Sequence, residues 1–268
     1  PVTPSNSNYS MNMLKKTGTC SIKTSLEGQL IPTLKLSGPE QMALDVILLE
    51  DSLQKKTPQP VIRFYKWDGC WLSIGRNQKN LPREWFSHVK QKRIGIVRRP
   101  SGGSSVLHCG GLTYSLIWPS PPKKRREAYV HGCQWLQKGF LDLGIPLSFG
   151  HESAKDQTSE CFSTSTCADL VDDQGHKRIG NAQLWKHGHL LQHGEILLDP
   201  PEKLWFEIFN NPAPKPAPNW VDREGIEKSL ISALLTFWPK ISWTTRPIVK
   251  NEWQKVAKQA PKYQVEMN

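Results

Sequence analysis

Arg98-Arg99-Pro100-Ser101-Gly102-Gly103-Ser104-Ser105-Val106-Leu107-His108 is the stretch from which the rest of the chain can be read. A short β-branched run, Ile94 to Val97, precedes it and predicts a strand. Paired glycines after a strand let the backbone take up positive φ and approach a ligand closely. Successive N–H groups in such a turn can form an anion-binding nest, and two adjacent arginines would add charge. Read alone, the stretch is equally a glycine hairpin with surface arginines. Beyond it, Ser105 to His108 and Thr113 to Trp118 read as further strands, ended by Pro119 to Pro122.

Working outward, short strands dominate. Val61 to Trp67 alternates aromatic and β-branched residues, and Trp71 to Ile74 follows it, ended by Gly75. Ile145 to Phe149, Gln183 to Trp185 and Leu190 to Leu198 extend the series, and Asp169 to Ile179 reads as a hairpin turning at Asp173-Gln174-Gly175. Helices are fewer. Ser37-Gly38-Pro39-Glu40 is a capping box that opens a helix running to about Leu53, with Leu44, Ile47 and Leu48 on one face and Asp45 mostly off it. Tyr129 to Leu143 is helical with Gly144 just past its end, Glu202 to Phe209 is a short helix, and Asp222 to Trp238 is amphipathic. The proline-rich run from Asn210 to Pro218 is a stiff connector. Short strands linked by turns, with few helices, predict an α+β domain with a mixed, mainly antiparallel sheet. Residues 1–36 read as a polar N-terminal arm, 37–240 as the catalytic-size domain, and 241–268 as a C-terminal extension packed on it or trailing it.

The 268 residues are 37% hydrophobic and 22% charged, which excludes extensive disorder. No apolar run reaches the roughly 18 residues of a membrane span, and the first 30 residues lack the apolar core of a secretory signal. The expected location is the cytoplasm. Six cysteines with no CxxC pair argue against a zinc ribbon or thioredoxin-type site. No metal site is expected, and a chain of this size does not need disulfides, so the thiols are expected to be free. The net charge of +11 is local: residues 76 to 126 hold twelve Lys and Arg against one acid, Glu84, while the remainder balances. That points either to an ordinary solvated surface or to an acidic partner. Nucleic acid is not expected, because no base-reading motif accompanies the charge.

Three further clusters could carry chemistry. Lys177 stands before the small run Gly180-Asn181-Ala182-Gln183, where a compact charge could meet a carbonyl, a phosphate or an oxyanion, or could simply be solvated. Leu191-Gln192-His193-Gly194-Glu195 is a histidine in a strand. Glu160-Cys161-Phe162 lies in a polar, irregular segment where a nearby cation would activate a thiol.

The order of these motifs is more specific than any one of them. Met42-Ala43-Leu44-Asp45, then Ser73-Ile74-Gly75-Arg76-Asn77-Gln78, the Arg98–His108 stretch, Lys177-x-x-Gly180-x-Ala182-Gln183, and Gln192-His193-Gly194 together resemble the biotin/lipoate protein ligase family, in its lipoate ligase and octanoyltransferase branch. The resemblance covers roughly residues 37–240. It implies the core shared by biotin protein ligase and class II aminoacyl-tRNA synthetases, and an activity in protein lipoylation. It places Arg76, Arg98, Arg99, Ser101, Gly102, Gly103, His108, Gly180, Ala182, Gln183 and His193 around the acyl substrate, and Lys177 at its carbonyl or phosphate. Two positions depart from the family pattern: Ser104 stands where a glycine or basic residue is usual, and Cys109 where an Asp usually follows the histidine.

Within the branch, the resemblance is to the cysteine-dependent octanoyltransferases. Cys161, sixteen residues before Lys177, matches their nucleophile position, Leu112-Thr113-Tyr114-Ser115 resembles theirs, and only about 30 residues follow Trp238, where ligases commonly carry an accessory domain. The implied donor is octanoyl–acyl carrier protein, and the implied acceptor is a lysine of a lipoyl domain or of glycine cleavage H protein. A thioester donor needs no cofactor. ATP and magnesium would be required by the alternative, a lipoate–protein ligase. A protein-to-protein amidotransferase and a non-catalytic acyl-binding protein are further alternatives. His108 and His193 are both candidates for the base that the acceptor amine requires.

Overall fold

A computed structural model describes residues 26–150 and 168–266. In chain order the elements are β1 (Leu26–Leu36), α1 (Gly38–Gln54), β2 (Val61–Trp67), β3 (Trp71–Ile74), α2 (Arg83–Lys90), β4 (Gly95–Arg98), β5 (Val106–His108) and β6 (Leu112–Trp118). They continue with α3 (Arg125–Asp142), β7 (Ser148–Phe149), β8 (Leu170–Val171), β9 (Lys177–Lys186), β10 (His189–Ile196), α4 (Glu202–Phe209), α5 (Arg223–Phe237), β11 (Ile241–Thr245) and α6 (Lys250–Gln259), and close with a 3-10 turn, Ala260–Tyr263.

Eight strands form the main sheet in the order β11-β1-β2-β6-β10-β9-β8-β7. The β11-β1-β2 edge is parallel and the rest antiparallel. A small second sheet, β4-β3-β5, has one parallel and one antiparallel pairing. The predicted α+β class with a mainly antiparallel sheet flanked by helices is what the chain forms. Residues 26–36 of the expected arm are strand β1, inside the sheet, and β11 and α6 of the C-terminal stretch return to β1 and α1.

Strand alternation divides the main sheet between two helical layers. Ile62, Phe64, Tyr114 and Leu116 face α3 and α5 and pack with Trp135, Leu136, Phe140, Leu230 and Leu234. Their neighbours Val61 and Ile117 point to the opposite face and meet Leu44, Ile47 and Leu48 of α1. Both faces are therefore apolar, as the near-continuous hydrophobic reading of β6 requires. The small sheet packs against Trp85 of α2 and Trp205 and Phe209 of α4.

Helix α1 begins as its capping box dictates: Glu40 Oε2 accepts the Ser37 N–H at 3.0 Å and the Ser37 hydroxyl at 2.6 Å. Such a cap is worth about 1 kcal/mol. Gly144 takes φ +78 just past α3, as a left-handed C-terminal residue should.

Two expectations are corrected. Cys70 and Cys109 are joined as a disulfide, so not all the thiols are free. Their Cα atoms, 4.8 Å apart, are brought together by the strands β3 and β5 that they flank. Among the described residues Cys133 is the free cysteine, and it is buried. Asp45 is not off the buried face of α1; it is fully buried, because Arg63 of β2 provides a partner there.

Candidate active site

The glycine loop between β4 and β5 is held by its own arginines. Arg98 Nη1 donates to the carbonyls of Gly75 at 3.1 Å and Gln78 at 2.6 Å. Arg99 donates to the carbonyls of Ser73 at 3.1 Å, and of Gly102 and Ser104 at 2.7 Å each. The loop is drawn so close to the preceding turn that a Cβ on Gly75 would stand 1.9 Å from the Gly103 carbonyl oxygen. Gly103 itself has φ +96, which a side chain would strain. These arginines therefore fix loop shape through backbone carbonyls.

Two of the three remaining sequence clusters, those of Lys177 and His193, lie on adjacent strands. In the antiparallel β9–β10 pair, Gln183 lies opposite Gln192, Ala182 opposite His193, Asn181 opposite Gly194 and Gly180 opposite Glu195. Small residues at 180, 182 and 194 leave space. The result is a partly open cavity between this strand pair, the glycine loop and β2. Arg99, Gly102, Gly103, His108, Gly180, Ala182 and His193 all line it, with Met42, Trp67 and Val106 adding apolar wall. A second, outer groove of about 230 Å³ adjoins it through Gly102. Arg76, Ser101 and Gln183 lie there, beside Arg125, Tyr129 and Trp185.

Each histidine is the centre of a buried Ser–His–carboxylate chain. His193 has Ser101 Oγ 2.5 Å from Nε2 and Asp45 Oδ2 3.0 Å from Nδ1. Asp45 is gripped in turn by Arg63 Nε and Nη2, at 2.9 and 2.8 Å, and by the Tyr65 hydroxyl at 3.1 Å. Burial pushes the Asp45 carboxyl up, but the Arg63 guanidinium and the His193 bond outweigh it and hold the group down at about 2. Asp45 is therefore an anion at neutral pH. His108 has Ser73 Oγ 2.7 Å from Nε2 and Glu195 Oε2 2.8 Å from Nδ1. Thr113 also donates to Glu195 Oε2, and Trp67 stacks on the His108 ring with centroids 4.0 Å apart. Burial lowers the His108 imidazole; Glu195 opposes this, and Arg99 and His193 add to it.

Lys177 opens β9 and is almost fully buried, with Nζ 2.9 Å from Asp169 Oδ2. It does not line the cavity, whose wall begins three residues further along the strand at Gly180. Cys161 lies outside the described residues. Among those described, no group of three or more His, Cys, Asp or Glu side chains could hold a metal ion, and no helix is long and apolar enough to cross a membrane.

Sequence reasoning quoted Asp45, Ser73 and Glu195 within motifs without giving them a role, and passed over Asp169 and the Arg63–Tyr65 pair. Asp45 had a signal: a lone acid inside Leu44-Asp45-Val46-Ile47 must find a buried partner or break the run. Asp169 and Ser73 had none, because only strand pairing brings them to their partners.

The family model for the lipoyl protein ligase A/B catalytic domain matches residues 37–235. The chain is 39% identical over 183 residues to the octanoyltransferase LipM of Geobacillus kaustophilus strain HTA426, covering 64% of this chain and 65% of that protein. It is 40% identical over 185 residues to the octanoyltransferase LipM of Bacillus subtilis strain 168, covering 64% and 66%. The match thus spans just under two thirds of these relatives' lengths. Among solved structures, a bipartite lipoate protein ligase from Thermoplasma acidophilum, described with its E2 lipoyl domain, superimposes with a TM-score of 0.69 at 18% identity, over 88% of this chain and 93% of that one. That likeness is one of fold. With the glycine loop, the β9–β10 pair and the cavity between them all inside the matched span, the chain belongs to the lipoyl protein ligase A/B catalytic domain family.

Proposed function

We propose that this protein is an octanoyltransferase that moves an octanoyl group from acyl carrier protein to a lysine of a lipoyl domain or glycine cleavage H protein, in the cytoplasm and without ATP. The observation that carries the reading is the mainly apolar pocket lined by two carboxylate-bound histidines, in a chain whose relatives at 39–40% identity are octanoyltransferases. An eight-carbon chain buried there gains about 0.8 kcal/mol per methylene, roughly 5 kcal/mol in all. The remaining question is what activates the carbonyl, and a thioester donor arrives already activated.

In the proposed first step the Cys161 thiolate attacks the carrier thioester. A new C–S bond forms at Cys161 and the carrier thiol leaves. In the second, the acceptor amine attacks octanoyl-Cys161, a C–N bond forms and the Cys161 thiol is released. The glycine loop, Ser101 to Gly103, encloses the acyl chain together with Gly180 and Ala182. In this reading Lys177, held by Asp169 at 2.9 Å, supplies positive charge toward the carbonyl oxygen. Nine Lys and Arg side chains between residues 76 and 126 are exposed, among them Arg76 and the run Lys123 to Arg126 by the outer groove. They offer an acidic carrier its docking face.

The test is transfer to a purified lipoyl domain from octanoyl–acyl carrier protein with no nucleotide present. An octanoyl amide on the domain's lysine, lost in Cys161→Ser, is the expected result. Modification only when free lipoate and ATP are supplied would make the protein a ligase and overturn the proposal.

A further inference from the structure

Trp71 of β3 pairs with His108 of β5, so Cys70 falls directly opposite Cys109, one step further along the same antiparallel register. Each cysteine is attached to the wall of the acyl cavity. Cys109 follows His108 in the chain, and Cys70 lies three residues after Trp67. The Trp67 and His108 rings stack with centroids 4.0 Å apart, and both line the cavity. We infer that Cys70 and Cys109 form a reversible thiol–disulfide switch, worked by glutathione, that orders the Trp67–His108 wall when crosslinked and loosens it when reduced. The consequence for transfer rests on the octanoyltransferase reading above and adds a regulation of that same site.

The crosslink ties together two short links with little restraint of their own. Asp68-Gly69-Cys70 connects β2 to β3, and Cys109-Gly110-Gly111 connects β5 to β6. Gly69 takes φ +82 and Gly110 φ +85, so each link turns on a residue without a side chain. Apart from the crosslink, the wall is held by hydrogen bonds. Trp67 Nε1 donates to Thr113 Oγ1 at 2.7 Å, and His108 lies between Ser73 and Glu195. These bonds place the two rings, while the crosslink prevents the two segments that carry them from parting. A disulfide in a reducing compartment is as a rule a transient one.

The pair is also reachable. Cys109 lines a solvent-facing pocket of about 150 Å³ on the other side of the same wall, with Trp67 and His108 common to this pocket and the acyl cavity. Lys35, Lys66 and Arg223 stand around it, and no acid is among its described lining residues. Asp68, beside Trp67, is paired with Lys35 at 3.0 Å. Glutathione carries two carboxylates and one ammonium group, and a cationic rim draws such an anion in. Cys133, buried on α3, has no comparable access.

The electrons balance through glutathione disulfide. The Cys109 thiolate attacks one of its sulfurs, a Cys109–glutathione bond forms and one glutathione leaves. The Cys70 thiolate then attacks the Cys109 sulfur, the Cys70–Cys109 bond forms and the second glutathione leaves. Two cysteine thiols are oxidised, one glutathione disulfide is reduced to two thiols, and the cysteine protons end on the glutathione sulfurs. Reduction runs the same steps backwards.

The experiment equilibrates wild type and the double variant Cys70→Ser/Cys109→Ser in a series of reduced-to-oxidised glutathione mixtures, followed by acid quenching, alkylation and peptide mass mapping. In the wild type, Cys70 and Cys109 should pass together from two alkylated thiols to one disulfide, and return on reduction. Hydrogen exchange in segments 65–72 and 105–112 should be faster in the reduced protein, with β9 and β10 unchanged. KM for octanoyl–acyl carrier protein should rise about tenfold on reduction while kcat changes little, the scale of freeing two ordered side chains. The double variant should match reduced wild type in every mixture. Other cysteines meet the same mixtures in both proteins, so the difference between the two isolates this pair. A Cys70–Cys109 bond that dithiothreitol leaves intact in the folded protein, thiols that stay apart in oxidised glutathione, or equal exchange in the two states would each overturn the switch. Absence of transfer in every mixture removes the octanoyltransferase reading instead, and hydrogen exchange then decides the switch alone.

Discussion

Lys177 and Asp169 form a buried ion pair, 2.9 Å between Nζ and Oδ2, with side chains 4% and 3% exposed. The pair joins the first residue of β9 to the segment before β8, three residues along β9 from the cavity wall at Gly180. Removing one partner strands the other charge in a dry site, which typically costs about 3–5 kcal/mol. Lys177→Met should therefore destabilise the protein on that scale in urea unfolding. It should also lower octanoyl transfer by about a hundredfold or more under conditions where the variant is fully folded. Folded Lys177→Met with wild-type turnover would remove Lys177 from the chemistry.

Asp45 makes stability depend on acid. Its folded value of about 2 lies below the ordinary 3.8, so its contribution is fully present above pH 4 and is lost as pH falls toward 2. The difference corresponds to about 2 kcal/mol. Unfolding free energies measured at pH 6, 4 and 2.5 should show this decrement in the wild type and less of it in Asp45→Asn, which starts from lower stability. Equal acid sensitivity in both would place the decrement elsewhere.

Gly194 sets the width of the cavity floor. A Cβ there would sit 2.3 Å from Asn181 Oδ1 and 2.7 Å from Tyr114 Cε1, and both side chains are tied into hydrogen bonds. Gly194→Ala should push Asn181 into acyl space. Transfer of octanoyl should then fall about tenfold more than transfer of butanoyl, the equivalent of losing contact with about two methylenes. Parallel loss with both donors would mean that the acyl chain does not reach Gly194.

Cys133 should be inert. It is fully buried on α3, burial pushes its thiol up to about 12, and Gln192 Nε2 and Tyr114 surround it. Iodoacetamide at pH 7.5 should leave it unlabelled in the folded protein and label it after unfolding, as read by peptide mass mapping.

Carrier recognition through the exposed basic segment should be screened by salt. Raising ionic strength from about 0.05 to 0.3 M shortens the Debye length to roughly two fifths. Transfer at low carrier concentration should fall several-fold over that range, chiefly through KM, while saturating rates change little. A KM indifferent to salt would mean that the basic face does not dock the carrier.

What was legible in the sequence follows from how local the determinants are. β2, β3 and α4 start and end where alternation, Gly75 and the helical pattern say, because each is set by residues within one element. The turn at Asp173-Gln174-Gly175 appears for the same reason, with Gly175 at φ +81. Helix α2 carries only one fully buried anchor, Trp85, and a proline cap, too little pattern to stand out from its polar neighbours. Strand β1 reads as a polar arm because its partners, β2 and β11, arrive from either side and from more than 200 residues away in the second case. In the site, Gly102, Gly103, His108 and His193 could be named from motif order. Their pairing with Asp45 and Glu195 could not, since these carboxylates reach the histidines across a helix–sheet interface and a strand ladder.

The most direct test of the central claim is intact-protein mass spectrometry after mixing the protein with octanoyl–acyl carrier protein and no ATP. Transfer through Cys161 requires a gain of one octanoyl group that is released by hydroxylamine, maps to Cys161 and is absent in Cys161→Ala. An unmodified wild-type mass, together with lipoyl transfer when lipoate and ATP are added, would contradict it.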